Sequence, residues 1–361
     1  MLEIALLLSG WLLGFVFFLR PKFPGRPSDF NSRPSLSIII PARNEAHNLQ
    51  KLLSSIVSQS CKPLEILVMN DHSTDNTAEV ARQNGATVLD VPELPAGWNG
   101  KPFACYSGAK QARGDFLLFL DADLWIEKGG IEKIIALTRQ ENAVWSICPF
   151  HEIKRGYEEF SSVFNLMMLC GTGAFAAGFS GKARLTGQAM LISKQDYWKS
   201  GGHEAVKGKV LENFFLTDDL LKLGLTTHTL GGKGALSMRM FPVGFVELIQ
   251  SWKKGFVTGA TKTPPLLMAL IVMWMSAGIS TFILLARSVA QMEQGWPLVS
   301  ISMYLLFVAQ IRWMLTKIGT FGWVNALAFP VFFIFFISLF FYSTLTKLLG
   351  QKTAWKGRHV G

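Results

Sequence analysis

Short apolar runs alternate with amphipathic segments over the first third of the chain. Short, mainly apolar runs predict strands at 36–40, 64–69, 87–91 and 114–120, and the uninterrupted run at 116–120 is typical of a buried strand. Segments whose apolar residues recur every three or four positions predict helices at 44–58, 77–84 and 103–112. Because strands and helices alternate at these lengths, the pattern predicts a parallel, doubly wound α/β sheet.

The pattern loosens after residue 125, where further strands are predicted at 144–148, 189–193, 226–230 and 236–241. A helix is predicted at 217–223 and ends at Gly224. Residues 160–179 are rich in Phe, Met, Gly and Ala, which favours a buried or interfacial helix near an oily substrate over a membrane crossing. Residues 242–262 include an amphipathic stretch with lysines beside an aromatic face, as is typical of an interfacial helix.

Long uncharged stretches at both ends of the chain predict transmembrane helices. The first lies at 1–20 and has 16 consecutive uncharged residues, the short end of the range for a span. Three more spans are predicted within 263–347, at 263–286, 294–311 and 318–346. The chain is therefore expected to be a multi-pass protein of the cell membrane.

The distribution of basic residues predicts the topology. Arginines and lysines follow the first helix in the proline-rich linker 21–35, so the domain at 36–241 is expected in the cytoplasm. The basic tail at 348–361 favours the same side, whereas three crossings after a cytoplasmic domain place it outside. One apolar segment is therefore expected to be re-entrant or interfacial.

Composition and charge narrow the class of partner. Half of the 361 residues are hydrophobic, and the mean hydropathy is +0.30. A net charge of +10 beside hydrophobic spans favours anionic lipid and anionic nucleotide, and there is no nucleic-acid-binding motif. The four cysteines are scattered without a Cys-x-x-Cys pair, so neither a zinc site nor a disulfide framework is predicted.

The clearest chemical signal is the stretch GDFLLFLDADLW at 114–125. Asp121 and Asp123 follow its apolar run, at the strand end where open α/β sheets bind ligands. Two carboxylates at this spacing suit Mg²⁺ or Mn²⁺ held jointly with substrate phosphates. Taken alone, the pair is equally consistent with a turn that carries two solvated acids.

Three more loops are expected at the same edge of the sheet. The loop at 41–45 offers an arginine and helix-opening amides to a pyrophosphate or ribose, or is an ordinary capped helix start. The loop at 70–75 suits a ribose or base, or is an Asx-type turn. The lysine in the Gly-rich loop at 97–101 suits a phosphate or a base, or is an ordinary surface lysine. The candidate residues are Pro41, Ala42, Arg43, Glu45, Asp71 and Lys101.

The runs SLSIIIPARNE, ILVMNDHSTDNT and FLLFLDAD resemble the family 2 glycosyltransferases of the GT-A fold, in that family's order and spacing. The likeness covers residues 35–256. It implies a Rossmann-like α/β domain with a mostly parallel sheet, in which the six loop residues line a UDP-sugar site. By the same resemblance Asp121 touches the ribose or the metal, and Asp123 holds the metal. No Gly-x-Gly-x-x-Gly or Walker pattern is present.

Further runs, including GKPFACYSG, YEEFSSVFNLM and the terminal WKGR, resemble bacterial carotenoid glycosyltransferases. This likeness implies transfer of one glucose from UDP-glucose to the carboxylate of a C30 carotenoid acid that enters from the bilayer. Membrane enzymes that glycosylate other lipids share several of these runs, so ceramide, diacylglycerol or a hopanoid is the alternative acceptor. A non-catalytic nucleotide-sugar-binding protein or an export component is disfavoured by the intact acidic pair.

The chain departs from the family pattern at the catalytic base. Transfer to a hydroxyl needs a carboxylate to take its proton, and the family usually places Glu-Asp about eleven residues before a helix-ending glycine. Counting back from Gly224 gives Glu212 and Asn213. Either Glu212 is the base, or none is needed because an acceptor carboxylate arrives ionised. Asp219 and Arg239 are further catalytic candidates, with a solvated helix face and a strand arginine as the ordinary explanations.

The Gln-x-x-Arg-Trp signature of processive synthases is absent. Gln250, Trp252, Lys253 and Lys254 form a partial echo of it, which favours transfer of a single sugar. Trp252 and Lys253 complete the set of residues assigned to the nucleotide-sugar site.

Overall fold

The computed structural model of the protein describes residues 2–25, 34–176, 178, 181–209, 211–252, 263–291, 296–349, 353–355 and 358–360. These residues form two compact units. The helical unit comprises Met1–Pro21, His151–Phe179 and Met240–Gln351. The sheet unit comprises Lys22–Phe150, Ser180–Arg239 and Lys352–Gly361. Residues 151–179 thus lie in the helical unit, although the sequence analysis includes them in the 36–241 domain.

The described strands are short, with two to seven residues each. In chain order they are β1 (Leu36–Ala42), β2 (Glu65–Asn70), β3 (Thr87–Asp90), β4 (Phe116–Leu120), β5 (Leu124–Ile126), β6 (Ala143–Cys148), β7 (Phe150–His151), β8 (Ala189–Ser193), β9 (Thr226–Gly231), β10 (Leu236–Met238), β11 (Thr353–Trp355) and β12 (Arg358–Val360). The predicted strand at 236–241 is therefore three residues shorter than expected.

A seven-stranded sheet with the order β3-β2-β1-β4-β8-β6-β9 forms the centre of the sheet unit. Its neighbouring strands run parallel except at β8, which is antiparallel to both β4 and β6. The sheet is thus mostly parallel, as predicted, with one reversed strand. Nearly every residue of β1, β4 and β6 is buried, which explains why the sequences of these strands are almost entirely apolar.

Helices separate the strands in the predicted alternation. They are α2 (Ala46–Val57), α3 (Thr77–Gln83), α4 (Gly100–Gln111), α5 (Gly130–Ala136), α7 (Lys194–Lys199) and α8 (Glu212–Lys222). The apolar side of α2 is buried, and α4 packs on β1 and β2. The prediction of 217–223 was wrong at its start, because α8 begins at Glu212. Leu211, with φ 59°, precedes the first helical turn.

The helical unit contains the other α-helices of the described residues, both long and short. They are α1 (Leu2–Phe17), α6 (Ser162–Thr172), α9 (245–252), α10 (Pro265–Gln291), α11 (Trp296–Ile318), α12 (Trp323–Leu327) and α13 (Phe329–Leu348). Of these, α10, α11 and α13 are long and apolar enough to cross a membrane, whereas α1 is shorter. These lengths are consistent with a membrane protein.

The predicted third span at 318–346 is not one continuous helix. Residues 319–322 form a non-helical interruption between α11 and the short α12, and a turn at Ala328 separates α12 from α13. Gly319 and Gly322 lie in this interruption, and the backbone N–H of Gly322 donates to Glu159 Oε1 at 3.0 Å. The sequence reading missed the break because its residues are as uncharged as those of the helix that follows.

A polar contact joins α1, α10 and α11. Gln310 Nε2 donates to the backbone oxygen of Trp11 at 2.7 Å, and Trp274 Nε1 donates to Gln310 Oε1 at 2.8 Å. Trp11 Nε1 donates to the backbone oxygen of Leu306 at 3.0 Å. Gly14 lies against the Gln310 amide, where a Cβ would overlap it. The absence of a side chain at position 14 therefore permits the close approach of α1 and α11.

We expect Gly14→Leu to destabilise the helical unit by about 1–3 kcal/mol, because the new side chain overlaps the buried amide of Gln310. Thermal unfolding of the detergent-solubilised protein, followed by circular dichroism, measures the loss. Ser9→Leu is the matched control, since Ser9 is exposed on the same helix. Equal unfolding temperatures for the two variants would show that the close packing of α1 is not needed.

Candidate active site

The parallel strands bring three separate loops to one edge of the sheet. Ala42 pairs with Asn70 between β1 and β2, and Ile39 pairs with Phe119 between β1 and β4. The segments after these strands therefore leave the sheet side by side, at the carboxyl ends where open α/β sheets bind ligands. Pro41 and Ala42 are the last residues of β1 and begin the first of these loops.

The first two loops are fastened to each other. Arg43 Nη1 donates to the backbone oxygen of Asp71 at 3.2 Å and lies 3.8 Å from Asp71 Oδ2. The backbone N–H of Glu45 donates to Thr77 Oγ1 at 2.9 Å. The Glu45 carboxylate accepts from Asn48 Nδ2 at 2.7 Å. The structure thus groups Arg43 and Glu45 of the first loop with Asp71 of the second.

Asn44 and His72 hold left-handed backbone conformations in these two loops, with φ of 54° and 53°. Such conformations are costly for residues other than glycine and are found at sites where the surrounding structure enforces them. Here the enforcing contacts are visible: Asn44 Oδ1 accepts from the backbone N–H of Thr74 at 2.8 Å. The two strained turns fix the positions of the neighbouring Arg43 and Asp71.

Lys101, at the start of α4, forms an ion pair with the first acid of the pair. Its Nζ lies 2.6 Å from Asp121 Oδ1 and donates to the backbone oxygen of Gly187 at 3.0 Å. Burial alone would lower the pKa of Lys101, but the carboxylates of Asp121 and Glu212 hold that pKa above its ordinary value. Lys101 therefore remains a cation beside the acidic pair.

One carboxylate oxygen of Asp123 is not used by the described residues of the protein itself. Its Oδ1 is buried and has no hydrogen-bond partner in the part of the chain that the structure describes. Burial and the neighbouring Asp121 carboxylate raise the pKa of Asp123 to about 7. A divalent cation would satisfy this oxygen and offset the repulsion between the two acids.

The acidic pair fits a metal ion shared with a substrate. Among the described residues, no group of three or more His, Cys, Asp and Glu side chains is placed to hold a metal ion alone. Two carboxylates with the remaining positions left to phosphate oxygens and water are the arrangement that Mg²⁺ and Mn²⁺ accept in nucleotide sites. The donor set therefore fits these ions as cofactors.

Strand register places Arg239 near the acidic pair. β5 starts at Leu124, directly after Asp123, and pairs antiparallel with β10, so that Leu124 faces Met238. Arg239 directly follows β10 and Asp123 directly precedes β5, so the two residues adjoin the last pair of this ladder. This proximity depends on the pairing of two three-residue strands that are more than 100 positions apart, which no sequence pattern revealed.

The side chains of Lys101, Glu212 and Asn213 lie around the segment 186–188, just before β8. A Cβ at Gly187 would lie 3.7 Å from Lys101 Nζ, 4.0 Å from Glu212 Oε1 and 3.6 Å from Asn213 Nδ2. The Asn213 amide donates to the backbone oxygen of Thr186 at 3.1 Å. Glu212 and Lys101 are therefore brought together around Gly187, a glycine that the sequence analysis did not single out.

The backbone of this segment also holds the acidic loop. The N–H of Asp121 donates to the backbone oxygen of Gln188 at 2.9 Å, next to the pairing of Leu120 with Ala189. The reversed direction of β8 makes this contact possible, because it brings the start of β8 to the end of β4. In the sequence, only Gly187 between Thr186 and Gln188, just before the apolar β8, could have indicated this part of the site.

Asp219 is not placed with these groups, so its assignment as a catalytic residue stays a prediction. It lies two turns after Glu212 and pairs with Lys222 at 2.9 Å on the exposed side of α8. Trp252 belongs to the helical unit, where it stacks on Phe164 with ring centroids 4.6 Å apart. Lys253 lies outside the described residues, so its assignment to the nucleotide-sugar site stays a prediction.

Comparison with known proteins agrees with this arrangement. The model of the glycosyl transferase family 2 matches residues 37–201. The 4,4'-diaponeurosporenoate glycosyltransferase of Staphylococcus aureus strain MRSA252 is 35% identical over 351 residues, covering 95% of this chain and 92% of that protein. The protein of the same name from strain USA300 is 34% identical over 349 residues, with the same coverage.

A solved structure shares the architecture. The mannosyltransferase PcManGT from Pyrobaculum calidifontis, solved in complex with GDP-Man and Mn²⁺, superposes with a TM-score of 0.57. The match covers 97% of this chain and 96% of that one at 14% identity, so it supports the fold alone. The expectation of a GT-A fold is confirmed. By its curated relatives and its sheet, the chain belongs to the family 2 glycosyltransferases, enzymes that transfer a sugar.

Proposed function

We propose that this enzyme transfers one glucose from UDP-glucose to the carboxylate of a C30 carotenoid acid, with the sheet unit in the cytoplasm. The relatives' name, 4,4'-diaponeurosporenoate glycosyltransferase, supports the acceptor. The proposed donor, a nucleotide sugar, is supported chiefly by one observation: a buried oxygen of Asp123 has no hydrogen-bond partner among the described residues and lies beside the Lys101–Asp121 ion pair. That arrangement suits a diphosphate bound together with a divalent cation.

The donor half of the reaction needs stabilisation of the leaving diphosphate. Mg²⁺ or Mn²⁺ held by Asp121 and Asp123 would supply positive charge to the phosphate oxygens. Lys101 adds a second charge from the Gly187 side, and Arg43 adds a third from the first loop. Asp71, itself fixed by the strained turns, suits a hydrogen bond from the ribose or the base. These preorganised charges favour the departure of UDP in the transition state.

The acceptor half needs a nucleophile on the opposite face of the sugar. A carboxylic acid with a pKa of about 4–5 is already ionised at neutral pH and needs no base. The replacement of the family's usual aspartate by the buried Asn213 fits this chemistry. The alternative is a hydroxylated lipid as acceptor with Glu212 as the base, which the position of Glu212 beside Lys101 keeps open.

The substrate is identified by assaying the purified full chain in lipid vesicles with UDP-glucose and the C30 acid. We expect a hexose ester of the acid, detected by mass spectrometry. UDP-galactose and GDP-mannose serve as donor controls, and ceramide and diacylglycerol as acceptor controls. Hexose on these lipids with none on the acid would contradict the proposed acceptor, and no turnover with any nucleotide sugar would contradict the donor half.

The cytoplasmic placement of the sheet unit can be tested by cysteine labelling. All four native cysteines are buried, so a membrane-impermeant maleimide should react with one introduced at an exposed position. We expect Glu141→Cys, on an exposed loop of the sheet unit, to be labelled in inside-out membrane vesicles and protected in intact cells. Labelling from outside intact cells would place the sheet unit on the other side of the membrane.

A further inference from the structure

Asn165 is a fully buried amide in the helical unit, and neither end of it is used. It lies on α6, which packs against α10, α11 and α13, and its exposed fraction is 0%. Neither Oδ1 nor Nδ2 has a hydrogen-bond partner within the described ranges. Because an unpaired amide in apolar surroundings is destabilising, buried polar groups in membrane proteins mark functional sites.

The other buried amide side chains described in the helical unit are satisfied. Gln310 uses both ends of its amide, to Trp11 and Trp274. Asn325 donates to Glu159 and accepts from Ser162, which lies one helical turn before Asn165. The fold therefore pairs amides where they serve structure, and the unpaired state of Asn165 leaves a donor and an acceptor available to a ligand.

The adjoining side of α6 is aromatic. Phe164 lies on α6 and Phe160 just before it, and the rings of both contact that of Phe335. Phe164 stacks on Trp252 at 4.6 Å, Phe160 lies 4.9 Å from Phe335, and Phe164 lies 5.0 Å from Phe336. We name these five rings the aromatic cluster. Flat rings of this kind suit contact with a planar conjugated chain.

We propose that Asn165 and the aromatic cluster bind the acceptor as a neutral, conjugated carboxylic acid. The Asn165 Nδ2–H would donate to the carbonyl oxygen of the acid, and the acid O–H would donate to Oδ1. An amide matches a protonated carboxyl group in this way because each has one donor beside one acceptor. Asn165 directly follows Phe164, about 100° further around the helix, so one ligand can reach both surfaces.

Two chemical features favour this ligand class. Apolar surroundings raise the pKa of a carboxylic acid, so the neutral form is the one that enters the helical unit. The acid loses this proton to water before it reacts, so its carboxylate still attacks the sugar without a base. Ceramide and diacylglycerol also carry a hydroxyl and a carbonyl, but on separate groups, whereas a carboxyl group presents both in one plane to the two ends of the amide. The inference rests on the proposed function, because that proposal supplies a conjugated acid as the acceptor.

The test measures binding without any nucleotide sugar. The full chain in nanodiscs is titrated with the C30 carotenoid acid and separately with its methyl ester, and binding is followed by the shift of the polyene absorption band. The ester lacks the O–H, so Asn165 Oδ1 stays unpaired, and we expect it to bind about tenfold more weakly than the acid. Equal affinity of the wild-type protein for acid and ester would overturn the proposal without any variant.

Variants then assign the preference to the amide. We expect Asn165→Leu to bind the acid about tenfold more weakly and to lose the preference for acid over ester. Thr172→Val is the matched control, a buried polar-to-apolar change on the same helix, and should keep the preference. Phe164→Leu should weaken acid and ester equally. A preference that persists in Asn165→Leu would overturn the proposal, as would higher stability of this variant with unchanged affinity.

The outcome is separable from that of the proposed function. If the acid binds through Asn165 but receives no sugar, the assignment of the reaction fails and the binding site stands. If sugar is transferred to the acid while Asn165→Leu keeps its affinity and its acid preference, the binding site fails and the reaction stands.

Discussion

Replacing Asp123 by asparagine should lower kcat for sugar transfer by about 10²–10³-fold, with little effect on the acceptor KM. The substitution keeps the shape of the side chain but removes the charge that a divalent cation needs. Initial rates of UDP release, measured over a range of Mn²⁺ concentrations, give the effect. We also expect the half-saturating Mn²⁺ concentration to rise, because one of the two protein carboxylates is lost.

Asp115→Asn is the matched control for Asp123→Asn. Asp115 lies just before the other end of β4, where its carboxylate accepts from the hydroxyl and the backbone N–H of Ser35. Its replacement should leave kcat and the Mn²⁺ dependence unchanged. Wild-type kcat and unchanged Mn²⁺ dependence in Asp123→Asn would mean that the acidic pair does not hold a catalytic metal.

The second large effect is expected at Glu212 and depends on the acceptor. With the C30 acid, Glu212→Gln should retain kcat within about threefold, because the acceptor carboxylate is already ionised. With a hydroxylated lipid, the same variant should lose about 10²–10⁴-fold, the usual contribution of a general base. Parallel assays of one enzyme preparation with both acceptors, each over a range of pH, separate the two mechanisms.

Asp219→Asn controls for charge on the same helix. Asp219 lies two turns after Glu212, on the exposed side of α8, and should be replaceable without change in kcat on either acceptor. A large loss on the acid in Glu212→Gln would contradict base-free transfer. If Asp219→Asn lost as much kcat as Glu212→Gln, the loss could not be attributed to the position of Glu212 beside Lys101.

The donor side of the site was largely predictable because local chemistry and strand order coincide there. Asp121 and Asp123 follow an apolar run, and Arg43 and Asp71 follow two others. Parallel strands align their carboxyl ends, so the sequence order of strand and loop was enough to group these residues. Lys101 was assigned to the same site, but its 2.6 Å contact with Asp121 depends on the packing of α4.

The acceptor side was less predictable because its residues meet through long-range packing. Glu212 was found by counting from Gly224, whereas its neighbours Gly187 and Lys101 are distant in sequence. Asp219 lies two helical turns after Glu212 and pairs with Lys222, so its catalytic role stays a prediction. Arg239 was a candidate without a position until the pairing of β5 with β10 brought the end of β10 beside the acidic pair.

In the membrane segments, too, some features were predictable from the sequence and others were not. Hydropathy located the helices that became α10, α11 and α13, because the cost of exposing polar groups to lipid demands long uncharged runs. It did not reveal the break at 319–322, where Glu159 accepts from the backbone of Gly322. Nor did it show that Asn165 is buried without a partner, since a single polar residue barely alters a mean hydropathy.

By itself, the sequence determined the family, the alternation of strands and helices, and the residues at the strand ends. These follow from periodicity, from local turn chemistry and from motifs whose members lie close together along the chain. Only the tertiary structure decided the reversed direction of β8, the grouping of Lys101 and Glu212 around Gly187, and the isolation of Asn165. These depend on packing between distant segments, where burial and hydrogen-bond geometry act on residues that no local pattern connects.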